Sequence, residues 1–196
     1  MVELAGNPLP WLMIAAGVLI ALLGGLWLVI PNLYDLPWVP ARTLRIRRAL
    51  EIAGTLPGDT VYDLGAGDGR ALIVAAREFG ARAIGVEIEP VHCLVAWIWA
   101  RVAGVASQVT IRCGDLYKTD LNDADVVYLY LTPLHAKRIA PRLQEKLRAG
   151  ARVVSLAADI ADWKPAEFDR ADLIFYYEMP PQPGGLPAYL AEEHRT

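Results

Sequence analysis

The sequence predicts a doubly wound α/β domain with a mostly parallel, Rossmann-like sheet, preceded by one N-terminal transmembrane helix. Three observations carry that expectation. From residue 42 onward, short apolar runs alternate with segments of helical period. The first such run ends in an acid and then three glycines at every second position. At the front, no side chain from Trp11 to Ile30 is charged or carries an amide or hydroxyl, close to the roughly 20 residues that cross a bilayer core. The expected organisation is an anchor over 1–30, a Pro-rich linker over 31–41 and an α/β domain over 42–196.

The anchor is read from composition and flank. Apolar residues make up 55% of the 196 positions, and the excess lies at the front. All 19 Lys and Arg stand at or after Arg42, with Arg42, Arg45, Arg47 and Arg48 close behind the span. The positive-inside rule then places the domain on the cytoplasmic side of a single-pass protein, in contact with the lipid bilayer through residues 11–30. No basic residue precedes the span, so a signal peptide would lack its n-region. Trp11, Trp27, Tyr34 and Trp38 stand near its ends as interface anchors. Pro31, Pro37 and Pro40 stiffen the linker.

The domain follows element by element. An amphipathic helix over 42–53 should turn Leu44, Ala49, Leu50 and Ile52 inward and stop at Gly54. A strand leads into Val61-Tyr62-Asp63-Leu64-Gly65-Ala66-Gly67-Asp68-Gly69-Arg70, and a helix over 71–79 stops at Gly80. A second strand closes on Glu87. The next helix opens with Pro90 at a first-turn position and should bury Val91, Leu94, Val95, Ile98 and Val102. Strands are expected over 109–113, 124–131, 152–157 and 171–177, with a helix over 134–149 burying Ile139, Leu143 and Leu147. A seventh strand is poorly signalled, and 186–191 is the expected source.

The glycine turn carries the chemistry. Glycines admit positive φ and close approach of a ligand, and the helix start beyond them offers free N–H groups. That makes a nucleotide-type site at the carboxyl end of a first parallel strand. The dinucleotide fingerprint requires glycine at the sixth place of G-x-G-x-x-G, and that place is Arg70. Glu87, at the tip of the second strand, can accept hydrogen bonds from both hydroxyls of a ribose. A solvated strand end with little part in the core is the plainer reading of that acid.

Other features set bounds. Cys93 and Cys113 have neither metal nor redox spacing and read as reduced and buried. His92, His135 and His194 are scattered, so no metal site is expected. A net charge of −3 gives no reason to expect a nucleic-acid partner.

The acid followed by G-x-G-x-G resembles the first motif of the class I (seven-strand) S-adenosylmethionine-dependent methyltransferases. With Glu87 and the later Cys113-Gly114-Asp115-Leu116, the resemblance covers residues 42–196. It implies S-adenosyl-L-methionine as cofactor, held by Asp63, Gly65, Gly67, Gly69 and Glu87. It further implies that Asp115 meets the adenine amino group and Leu116 packs on the ring. The order of parts is similar to one branch, the membrane-anchored protein-lysine methyltransferases of adenine nucleotide translocase or the ATP synthase c subunit and their prokaryotic relatives. That likeness rests on the N-terminal span, Trp38-Val39-Pro40, Asp115-Leu116-Tyr117-Lys118, Trp163-Lys164-Pro165 and Tyr176-Tyr177-Glu178-Met179-Pro180. It implies a lysine of a membrane-associated protein as methyl acceptor. Leu131-Thr132-Pro133 departs from the Asn/Asp-Pro-Pro-Tyr of enzymes that methylate planar amides or bases. No residue is marked as general base; Asp115, Tyr117 and Thr132 are catalytic candidates by position only. The other readings are a small-molecule or lipid methyltransferase at the membrane and a non-catalytic cofactor-binding membrane protein.

Overall fold

Five of the predicted strands line up side by side and in parallel in a computed structural model of the chain, which describes residues 8–33, 40–160 and 162–194, the side chains of 26–33 excepted. The chain divides into two units, 1–39 and 40–196. The first holds α1 (Leu9–Leu33). In the second, α2 (Thr43–Ile52) leads to β1 (Thr60–Leu64), α3 (Arg70–Phe79), β2 (Arg82–Glu87), α4 (Pro90–Val102) and β3 (Val109–Cys113). A 3-10 turn at Leu116–Lys118 precedes β4 (Val126–Leu129), α5 (Pro133–Lys146) and β5 (Arg152–Leu156). The chain ends through β6 (Trp163–Lys164), β7 (Glu167–Asp169), β8 (Ile174–Glu178), β9 (Gln182–Pro183) and α6 (Gly185–Glu193).

The seven-stranded sheet has the order β3-β2-β1-β4-β5-β8-β7. Strands β1 to β5 pair in parallel, whereas β8 runs antiparallel to β5 and β7 antiparallel to β8. The order reverses between β1 and β4, and such a switch point leaves a crevice at the strands' carboxyl ends. Right-handed crossovers put α3 and α4 on one face and α5 on the other. Burial on both faces explains the continuous apolar runs: all five positions of β1 and all four of β4 are buried.

Several expectations are corrected. Among the described residues no helix is long and apolar enough to cross a membrane. The single-pass membrane localisation, the bilayer contact through 11–30 and the cytoplasmic orientation are withdrawn on that finding. Tyr34, Trp38, Val39 and the side chain of Trp27 lie outside the described residues. Helix α1 continues through Pro31 to Leu33, into the stretch read as linker.

The expected seventh strand at 186–191 is helix α6 instead, opened by Gly184 and Gly185 at positive φ. Strand β7 takes the edge place; with three residues it is too short to show an alternating period. In α2, Ala49 and Leu50 are buried as expected, but Ile46 is buried with them and Leu44 points out. Helix α4 is inverted relative to its periodicity. His92, Cys93, Ala96 and Ala100 are buried, while Val91, Leu94, Ile98 and Val102 stand 45, 56, 45 and 72% exposed. At the glycine turn the reason is space, because α4 passes so close to Gly69 that only a small side chain fits at Ala96.

Candidate active site

The residues nominated for the cofactor hang from the carboxyl ends of β1, β2 and β3, on the crevice side of the sheet. Gly65 and Ala66 donate their N–H groups to the Val86 carbonyl at 2.9 and 3.0 Å, which folds the turn over the end of β2. Gly69 opens α3 at φ +78°, and a Cβ there would meet the Cβ of Ala96 at 2.8 Å. Both the conformation and the approach require glycine. Arg70 clasps Asp68 through Nε at 2.9 Å and donates from Nη1 to the Ala41 carbonyl at 2.9 Å, tying the turn to the start of the domain.

Glu87 is held from two sides. Its Oε2 accepts the Gly67 N–H at 2.8 Å and its Oε1 accepts the Glu89 N–H at 3.0 Å. The residue is buried, so the view of Glu87 as a strand tip with little share in the fold is corrected: without it two backbone N–H groups lose their partner. Each oxygen keeps a lone pair for a further donor, as two vicinal ribose hydroxyls would supply.

Asp63 is buried at the end of β1, and burial first, then the charges of Glu87 and Asp68, push its carboxyl up to about 8. Beside it in register on β4 is Tyr128, whose buried hydroxyl has no partner among the described residues. Burial and then Asp63 raise that phenol as well. Asp63, Asp68, Glu87 and the buried Glu89 thus surround one turn, and Arg70 is already paired with Asp68. Even with Asp63 mostly protonated at neutral pH, such a ring repels a pyrophosphate. It suits a ligand with two hydroxyls and a positively charged sulfonium and ammonium, so these residues fit S-adenosylmethionine. The helix N-terminus alone would have favoured an anion; the carboxylates decide against it.

The three catalytic candidates meet through a residue that sequence reasoning passed over. Asp115 accepts the Tyr117 N–H on Oδ1 at 2.9 Å, and Leu116 is buried between them in the 3-10 turn. The Tyr117 hydroxyl lies 2.6 Å from Nδ1 of His135, in the first turn of α5. Thr132 caps that helix, its Oγ1 accepting the His135 N–H at 3.5 Å. The Arg138 guanidinium lies over the Tyr117 ring at 4.6 Å, and Arg142 donates to the Thr119 carbonyl at 2.8 Å. The loop after β3 is thereby fastened to α5. Burial raises the Tyr117 phenol, against Arg138 and with Asp115, so it stays protonated at neutral pH.

Two further residues carried no signal: Glu89, which caps α4 by accepting the His92 N–H, and Gly85, where a Cβ would meet Leu72 at 2.4 Å. Cys93 and Cys113, expected to be reduced, are joined by a disulfide with Cα atoms 6.0 Å apart. The pairing of Cys113 with Glu87 in the sheet brings it beside the start of α4. Among the described residues no three of His, Cys, Asp and Glu are grouped to hold a metal ion.

Comparison with known proteins places residues 63–167 in a match to the ANTKMT methyltransferase domain. A protein-lysine N-methyltransferase of Saccharolobus islandicus is 38% identical over 132 residues, which cover 67% of this chain and 82% of that one. The adenine nucleotide translocase lysine N-methyltransferase of Mus musculus is 32% identical over 76% of this chain and 66% of its own length. Among solved structures, one described as an RNA methyltransferase from Salinibacter ruber in complex with S-adenosyl-L-homocysteine superposes with a TM-score of 0.71. It is 40% identical and covers 72% of this chain and 94% of its own.

Proposed function

Because the chain belongs to the family of the ANTKMT methyltransferase domain and is an S-adenosylmethionine-dependent methyltransferase, we propose that its methyl acceptor is the ε-amine of a protein lysine. One observation carries this reading: the family match over 63–167 spans every residue of the site, from Asp63 to His135. The related proteins of S. islandicus and M. musculus are both described as lysine N-methyltransferases. The membrane-associated acceptor expected from the sequence leaned in part on a span over residues 11–30 and is not carried forward.

The bound cofactor supplies a methyl group on a sulfonium, an electrophile that needs no further activation. The work of the chain is to bind, orient and exclude water. Glu87 is the acceptor for the ribose hydroxyls, with Gly65, Gly67 and Gly69 shaping the turn that faces it. Asp68 gives the cationic end of the ligand a counter-charge, and Asp63, mostly protonated at neutral pH before the ligand arrives, adds to it on ionising beside the cation. Asp115 and Leu116, on the loop after β3, flank the adenine. Tyr117 and Thr132 stand at the carboxyl end of β4, where an acceptor amine would enter. That amine must arrive neutral, since free lysine titrates near 10.4. A cationic ligand nearby and burial both lower its pKa. With its phenol protonated, Tyr117 serves as a hydrogen-bonding group and not as the base; the proton goes to water.

RNA methylation is the second reading, favoured by the description of the S. ruber structure. The carboxylates around the turn and the net charge of −3 weigh against a polyanion. The test is to incubate the chain with cell extract and tritiated S-adenosylmethionine, then separate protein, RNA and lipid. Tritium in ε-N-methyl-lysine after acid hydrolysis of the protein is the expected result. Label confined to RNA or to lipid overturns the lysine reading.

A further inference from the structure

We propose that His135 is a positioning residue for methyl transfer, acting through Tyr117, whose phenol oxygen accepts an N–H of the incoming amine and aims its lone pair. This rests on the lysine reading above and adds to it a residue that no motif marks.

The geometry begins with a join across the fold. Tyr117 belongs to the loop after β3, an edge strand, and His135 to the helix after β4, on the far side of β1 and β2 in the sheet. Their 2.6 Å contact fixes a hydroxyl on a loop to the first turn of a helix. Three restraints act on one residue: the His135 bond at the tip of its ring, the Arg138 guanidinium over the ring's face, and the Asp115 carboxylate on its backbone N–H. A tyrosine on a turn needs none of these merely to fold. Held together, they specify where one oxygen lies.

His135 itself is 7% exposed, and its Nε2 is buried with no hydrogen-bond partner among the described residues. A buried polar atom left bare costs about 1–3 kcal/mol. A leucine in that place would avoid the cost and pack as well, so the ring is retained for what Nδ1 does. Whichever tautomer is present, the phenol oxygen keeps at least one lone pair beyond its bond to Nδ1. That lone pair can take an amine N–H, which turns the nitrogen's own lone pair away from the phenol. A shift of about 1 Å in such a group can cost on the order of 100-fold in rate.

The experiment measures ε-N-methyl-lysine formed by the full chain and its variants on acid-extracted protein from a deletion strain, at saturating S-adenosylmethionine. Calorimetry with S-adenosylhomocysteine runs alongside. His135→Leu should lower kcat about 10- to 100-fold while its affinity for S-adenosylhomocysteine stays within about three-fold. His135→Asn, whose amide can stand in for Nδ1, should recover most of kcat. Tyr117→Phe should lower kcat as His135→Leu does, and the double variant should be no slower than Tyr117→Phe alone. Equal rates for the native chain and His135→Leu overturn the inference. So do losses that multiply in the double variant, or a loss of S-adenosylhomocysteine affinity as large as the loss of rate. Failure of the native chain to form any ε-N-methyl-lysine overturns the lysine reading and this inference together.

Discussion

Asp63 and Glu87 show how differently two acids of one site can behave. Asp63 is a buried acid with a carboxyl near 8, and an unfolded aspartate titrates near 3.9. A raised folded pKa adds stability that is complete below the unfolded value and is lost as pH rises through the folded one. The thermal midpoint should therefore fall as pH goes from about 4 to about 8, and Asp63→Asn should flatten that fall. Circular dichroism melts across the range check it; equal slopes in both chains would show that Asp63 ionises freely. Glu87 instead accepts two backbone N–H groups, so Glu87→Ala should destabilise the fold by about 1–3 kcal/mol in denaturant titration. A midpoint unchanged from the native chain would return Glu87 to a solvated strand end. Both acids were legible because each closes an apolar run beside a glycine pattern. His135 was not: its partner is eighteen residues away across two loops, and no local spacing marks such a meeting.

Helix α4 shows the limit of periodicity for a whole element. Its existence and start follow from Pro90, and the structure ends it at Val102, just before Gly104. The choice of face went wrong because the bulky residues, not the small ones, set the period. Contact with Gly69 selects the opposite face, since only Ala96 fits there. Ala96→Leu should then cost about 1–3 kcal/mol by overpacking and weaken cofactor binding. Leu94→Gln, on the exposed face, should change stability by no more than about 0.5 kcal/mol. The reverse order in paired denaturant titrations would restore the helical face that periodicity predicts. Strand β7 was missed for want of length, and Pro187 within 186–191 sits in the first turn of α6, where proline is well tolerated.

Across the whole molecule, the sheet order, the switch point beside β1 and the acids around the glycine turn agree on one kind of ligand. The seven strands and their order rest on long-range pairing; the alternation of runs announced the five parallel strands and β8, but neither β7 nor the small pair β6 and β9. The front of the chain misled for the opposite reason, because composition and a basic flank were asked to fix a location. What remains is whether the turn and Glu87 hold S-adenosylmethionine's scaffold and reject a dinucleotide. Calorimetric titration of S-adenosylhomocysteine and of NAD into the 196-residue chain and its Glu87→Gln variant settles it. The native chain should bind S-adenosylhomocysteine and give no heat with NAD. Glu87→Gln should bind about 10- to 150-fold more weakly, the equivalent of about 1.5–3 kcal/mol for a hydrogen bond to a charged group. Heat from NAD without heat from S-adenosylhomocysteine, or undiminished affinity in a folded Glu87→Gln, would contradict the site described.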